Sequence, residues 1–464
     1  MPSAALESAL MRKFLLIVLL ATPLAAQDPA SIDKAVNEVL TKTGAPSASV
    51  AVVKDGKITY THAYGLARID PPMPATAEMR YSIGSISKQF TSSAILMLAE
   101  DGKLSLDDKM SRWFPDLTRA NDVTVRELLS MTSGYQDFWP QDYVMPRMLE
   151  PVTAQEILNE WARKPLDFEP GTKWQYSNTN YVIAGVIVEK VAGMPLLDFL
   201  QRRVFGPLQM TSVYNTDLAG LGGNEPMRYL RYALGPLRPA PKEGRGWMFA
   251  AGELAMTAHD LALWDISLID QSILKPASYK SLETEVELAN GVGTRYALGV
   301  GVGMGDGRRF ISHGGEVSGF TATNTVYPDD RAAVVVFTNL DATGASSQIA
   351  TRIGNLPLAT TDPATAKTTE QMRKIFDGLQ HGQIERSLFT SNANAYFTDR
   401  AIKDFAFSLI SLGTPQEFVQ ANQSLRGGMT LRRYRIRFAQ KTLSLTTFIM
   451  PDGKIEQYQI AASE

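Results

Sequence analysis

Chemistry in this chain has to be done with few tools. Its 464 residues contain no cysteine and four histidines, His62, His259, His313 and His381. The missing thiols exclude a cysteine nucleophile, thiolate metal sites and a disulfide framework. With no H-E-x-x-H and no H-x-H, a histidine-built zinc site lacks its donors. Neither a metal nor an organic cofactor is expected. Serine remains as the nucleophile, and it needs a base. No G-x-S-x-G elbow occurs, which disfavours an α/β-hydrolase arrangement.

S-x-x-K occurs three times, at Ser31 to Lys34, Ser85 to Lys88 and Ser272 to Lys275. Two fixed positions arise about once or twice by chance in a chain this long, so context must choose. Ser31 sits near the start and Lys275 precedes Pro276, and neither is expected to have a helix to hold it. Ser85 follows Tyr81-Ser82-Ile83-Gly84 and opens an apolar helix, Gln89 to Glu100. One helical turn brings Lys88 beside Ser85. Free N–H groups and partial positive charge at that helix start favour an ionised serine oxygen and an oxyanion beside it. A lysine buried there loses proton affinity and can serve as a base near neutral pH. The plainer alternative makes Ser85 a helix cap and Lys88 a surface residue.

Tyr176-Ser177-Asn178 supplies a second element. Of sixteen tyrosines, this one alone is followed two positions later by asparagine. It lies in a turn-rich approach, Glu169-Pro170-Gly171, to a helix expected from Asn180. A loop tyrosine can shuttle a proton to the nucleophile, and Asn178 can bind Lys88 or a substrate carbonyl. A capped helix entry is the structural alternative. The third element is His313-Gly314-Gly315-Glu316, expected just past a strand Arg309 to Ser312. Adjacent glycines let a substrate backbone approach, and a following N–H can complete an oxyanion hole. His313 could bond the substrate or Tyr176, or be an ordinary structural hydrogen-bonder.

These residues need a frame. Ser47 to Val53 and Lys57 to Tyr64 alternate around Asp55-Gly56, a hairpin signal. Residues 107 to 290 are mostly helix-like and loop-rich, and strand character returns from Tyr296 to Thr338. One sheet made from both ends with an inserted helical region is the expected architecture. Asn355 to Thr369 reads as a linker. Helices, then three strands, then suggest a small α+β unit over 370–464.

At the other end, Met11-Arg12-Lys13 precedes an apolar run, Phe14 to Ala21, and small residues up to Gln27. Those are the parts of an export leader over residues 1–26, starting at Met11. The run is shorter than the ~20 residues a spanning helix needs. A secreted or periplasmic protein with no membrane span is expected. Lys+Arg 46 against Asp+Glu 48 gives a net charge of -2, so no basic field draws nucleic acid.

Together the three motifs resemble those of the serine β-lactamase and penicillin-binding-protein superfamily. The likeness is greatest to its class-C-like branch of D-alanyl-peptidases, D-aminopeptidases and carboxylesterases with a β-lactamase fold. Ser85-Ile86-Ser87-Lys88, Tyr176-Ser177-Asn178 and His313-Gly314-Gly315 stand in the family order. Glu127-Leu128-Leu129-Ser130-Met131-Thr132-Ser133-Gly134 and Ala251-Gly252-Glu253-Leu254 are similar as well, and the likeness runs from Ile32 to Leu340.

The resemblance implies an α/β (α+β) β-lactamase/transpeptidase-like fold over 27–354. It implies Ser85 as the acylated nucleophile, with Lys88 and Tyr176 sharing its proton and Asn178 as a polar positioner. The backbone N–H groups of Ser85 and Glu316 would form the oxyanion hole. Met131 stands where many relatives have His, and His313 replaces the Lys of β-lactamases, which weighs against β-lactam hydrolysis. The expected function is an exported serine hydrolase forming an acyl-enzyme on a small ester or peptide. A β-lactamase and a non-catalytic penicillin-binding-like receptor are the alternatives. The C-terminal unit resembles the NTF2-like fold more loosely, with a barrel-like accessory domain as the other candidate. Nothing in the sequence speaks to oligomeric state.

Overall fold

Strand β1, Ser47–Lys54, is buried along its whole length because its small and β-branched residues face helices on both sides. Ala51 and Val53 join the larger core on one face, and Ala48, Val50 and Val52 join a second core on the other. The computed structural model describes residues 29–356 and 363–462, apart from 142, 306 and 307. The expected leader therefore lies outside the described residues.

β1 pairs with β2, Lys57–Arg68, which carries the short edge strand β3, Met73–Pro74. The other four strands come from much later in the chain: β4 Gly301–Gly305, β5 Arg308–Val317, β6 Phe320–Tyr327 and β7 Ala332–Thr338. The seven strands run in the order β3-β2-β1-β7-β6-β5-β4. All neighbours are antiparallel, and Val50 opposite Val336 sets the closing register. The sheet is thus made from both ends of this region.

Helix α1, Pro29–Thr43, and a later helix, Ala345–Gly354, cover one face of the sheet. On the other face stands α2, Ser87–Glu100, with every residue from Ser87 to Leu98 buried. A helix buried on all sides lies in the interior, where its polar side chains must find partners. Its buried hydroxyls are all bonded: Thr91 to the Ala250 carbonyl, Ser92 with Tyr181, and Ser93 to its own Gln89 carbonyl. α2 packs on α3, Asn178–Ala192, and the sheet is backed by α4, Ala258–Asp270.

The C-terminal unit has its own core, drawn from Met372 to Tyr458. It holds α-helices at Pro363–Gln380, Ser391–Tyr396 and Asp399–Leu409, then a four-stranded antiparallel meander. Its strands are Glu417–Arg426, Met429–Arg437, Thr442–Ile449 and Ile455–Ala462.

Several boundaries differ from the sequence expectation. Residues 363–369, expected in the linker, are helical, with Pro363 where a helix tolerates proline best. The strand at Glu417–Arg426 escaped notice because glutamine and asparagine break its alternation. Ser31 lies inside α1 rather than outside any helix, yet it and Lys34 are exposed. β5 extends to Val317, so His313 to Glu316 belong to the strand itself and do not follow it.

Candidate active site

Gly84–Ile86 forms a tight 3-10 turn leading into α2, and Gly84 has φ +50, which suits glycine. A Cβ there would lie 2.7 Å from the Glu316 backbone nitrogen. The turn and β5 therefore touch backbone to backbone, and the N–H groups of Ser85 and Glu316 flank that contact. Ser85 is part-exposed at the floor of a cleft of about 900 Å³.

Lys88, fully buried one turn on, places its Nζ 2.9 Å from Ser85 Oγ. Nζ also lies 2.8 Å from Asn178 Oδ1 and 2.8 Å from the Ala251 carbonyl oxygen. Those two oxygens can only accept. A neutral amine donates its two hydrogens to them and keeps its lone pair for the Ser85 hydroxyl. Burial pushes the lysine down to about 7, against the opposing pull of Asp137. An amine so placed can act as a base.

Tyr176 faces Ser85, and burial raises its phenol above the usual range against the pull of that hydroxyl. Its ring lies 4.9 Å from Lys88 Nζ. Asn178 is the first residue of α3, so this helix begins two residues earlier than expected. Met131, with φ +64, turns its sulfur toward the Ser177 backbone N–H at 3.4 Å.

His313 packs its ring 6.2 Å from that of Tyr176 without bonding it. The Gly314 carbonyl accepts from Nδ1, which leaves Nε2 to accept from the Tyr296 hydroxyl at 2.9 Å. Burial and Lys88 lower its pKa to about 4, so the ring is neutral near pH 7. The Glu316 carboxylate lines the cleft and accepts the Ala342 N–H at 2.7 Å.

The three motifs thus converge on one cleft, whereas the other two S-x-x-K pairs do not line it. Lys34 is exposed beside Glu38, and Lys275 reaches the Glu100 carbonyl. Sequence reasoning missed Asp137, Tyr296 and the Ala251 carbonyl. Asp137 and Tyr296 carry no local motif, and the Ala251 segment was noted only as a likeness, since each reaches the site through tertiary packing. It also missed an apolar wall of Phe138, Trp139, Tyr143, Leu230, Trp247 and Met248. Among the described lining residues, Asp137, Glu316 and Asp341 supply three carboxylates, with no lysine or arginine.

A helix-borne Ser-x-x-Lys pair beside a sheet of this order defines a serine hydrolase of the β-lactamase and penicillin-binding-protein kind. The Beta-lactamase family profile matches residues 32–356. The chain belongs to that family. A penicillin-binding protein of Bacillus subtilis is 30% identical over 311 residues, 63% of this chain and 67% of that one. A D-aminopeptidase of Brucella anthropi is 28% identical over 71% of this chain, and the match spans 63% of that protein's length. Among solved structures, a D-amino acid amidase from Ochrobactrum anthropi aligns with TM-score 0.62 at 26% identity, covering 70% of this chain and 96% of its own. A penicillin-binding protein homologue from Pyrococcus abyssi has TM-score 0.62 at 20% identity, covering 94% of this chain and 96% of its own. At that identity the last likeness concerns fold alone.

Proposed function

We propose that the protein is a serine amidohydrolase or esterase for small substrates carrying an apolar side chain and either an amine or no charge, D-amino acid amides among them. The charge of the cleft carries this reading: three carboxylates line it, no lysine or arginine does, and His313 is neutral. A substrate carboxylate would find no cation at the third motif and would meet like charge. The aromatic wall suits a bulky apolar group. The names of two relatives, a D-aminopeptidase and a D-amino acid amidase, point the same way.

In this reading Ser85 Oγ attacks the carbonyl carbon while its proton moves to Lys88 Nζ. The carbonyl electron pair shifts to oxygen, which the Ser85 and Glu316 N–H groups stabilise. The C–N or C–O bond then breaks, and the proton passes through Tyr176 to the leaving group. Water releases the acyl group by the reverse relay. Residues 1–26, with their basic start and short apolar run, support export.

The test is a panel of D- and L-amino acid amides, short esters and a chromogenic cephalosporin, with Ser85→Ala as control. D-amino acid amides or neutral esters should lead in kcat/KM, and Ser85→Ala should lose several orders of magnitude. A cephalosporin turned over faster than every ester and amide would replace this reading with β-lactamase.

A further inference from the structure

Asp137 is a cleft carboxylate wired to the base through Asn178. Its Oδ1 accepts the backbone N–H of Asn178 at 2.9 Å and that of Trp139 at 3.1 Å. The Asn178 side-chain Nδ2 faces both its oxygens, at 3.2 and 3.3 Å. The Oδ1 of the same amide accepts from Lys88 Nζ at 2.8 Å. An amide turned the other way would set oxygen against carboxylate and N–H against the amine. Asp137 therefore dictates which end of Asn178 meets Lys88. Ser177, at the cap of α3, makes no side-chain cap bond, so Asp137 also serves that helix start.

We propose that Asp137 is a positioning residue of the acylation step: through Asn178 it orients the acceptor on Lys88, and its negative charge steadies Lys88 once it has taken the Ser85 proton. This rests on the acyl-enzyme reading above. The bond changes are those already given: Oγ–H breaks, Nζ–H and Oγ–C form, and the extra positive charge on Nζ is balanced by Asp137.

The other titratable groups around Lys88 are Tyr176, Tyr181, Tyr296 and His313. Burial raises the three phenols and lowers the imidazole to about 4, so all four stay neutral from pH 5 to 9. Glu316 and Asp341 lie along the same cleft, and Asp137 is the carboxylate whose charge pulls on Lys88. Burial also raises the Asp137 carboxyl, against the pull of its N–H bonds from Trp139 and Asn178 and of Lys88 itself, so a titration between those limits reports the Lys88–Asp137 pair.

The rate of Ser85 phosphonylation by a neutral fluorophosphonate, followed by intact mass from pH 5 to 9, tests this in the full chain. Asp137→Asn and Asp137→Ser should both move the acid midpoint down by about one pH unit, because a nearby anion favours the protonated amine. The plateau rate should fall about tenfold or more, since the weaker base takes the proton less readily. A carboxylate that only caps α3 would lower thermal stability and leave the midpoint in place, and that result would overturn the inference alone. Loss of fold in both variants would equally reduce Asp137 to a cap. Wild-type protein that never labels on Ser85 would overturn the acyl-enzyme reading and this inference with it.

Discussion

Gly315 lies so close to Ile83 that a Cβ on it would stand 1.8 Å from the Ile83 carbonyl oxygen. This contact presses β5 against the turn carrying Ser85 and fixes the spacing of the two N–H groups proposed as the oxyanion hole. Gly315→Ala must push strand and turn apart. We expect kcat to fall on the order of 10²–10³-fold, as when an oxyanion donor is displaced. KM should change much less. Equal loss in both constants would show that the contact serves binding instead.

Lys88 sets the pH dependence. Burial holds it down to about 7, so below that pH it gains a proton and loses its lone pair. The sign follows directly: kcat/KM for a neutral ester rises with pH and levels off above about 7. His313, held near 4, contributes nothing in this range. A stopped-flow or initial-rate profile from pH 5 to 9 that is flat would refute a neutral-lysine base.

Lys88→Ala and Tyr176→Phe should each cost on the order of 10²–10⁴ in kcat. Both residues face the same Ser85 hydroxyl, which Lys88 Nζ meets at 2.9 Å. Since they serve one proton transfer, the double variant should lose far less than the product of the two. Fully multiplicative losses would separate their roles.

His313→Lys should change selectivity. Burial and Lys88 keep the imidazole neutral, and its two nitrogens are engaged by Tyr296 and the Gly314 carbonyl. A lysine there brings a cation to a cleft whose described lining residues include no lysine or arginine. The kcat/KM ratio of a carboxylate-bearing amide to its neutral methyl ester should rise about 10- to 150-fold, the worth of a charged hydrogen bond of ~1.5–3 kcal/mol. An unchanged ratio would mean that substrate does not approach position 313.

How far the sequence could be read follows from the range of the interactions. The Ser85, Tyr176 and His313 motifs were legible because each combines residue type with a local turn or helix start. The two-ended sheet was legible from the alternation at Ser47 to Val53 and from the β-branched apolar run Ala332 to Thr338. Asp137 was not, since its meaning depends on a partner 41 positions away. His313 was placed past its strand because the two following glycines mimic a turn, whereas tight packing on Ile83 is what requires Gly315. The helix at Ala345–Gly354 was missed because it is short and its Gly344-Ala345-Ser346-Ser347 entry reads as a loop.

Beneath the site, a buried polar network ties α2, α4 and β6 together, and its removal should show as lost stability. Asn324 Nδ2 lies 2.7 and 2.8 Å from the two Asp265 oxygens, and its Oδ1 accepts from Gln89 at 3.0 Å. Gln89 in turn accepts from Trp264 at 2.8 Å. Asp265 is fully buried, and burial raises its pKa well above the usual range despite the bonds from Asn324. Asn324→Ala removes those donors and strands a buried carboxyl group, which costs about 3–5 kcal/mol when it is charged. With its folded pKa raised further, Asp265 stays protonated to higher pH, and the stability it retains is lost as pH rises through that value. Followed upward from pH 5, the variant's deficit in urea unfolding should therefore widen once pH passes the point at which wild-type Asp265 ionises. Replacing both Asn324 and Asp265 by leucine should recover part of the loss, because no polar group of that pair is then left unpaired. A deficit independent of pH, with no recovery in the double variant, would show that volume rather than hydrogen bonding holds this part of the core.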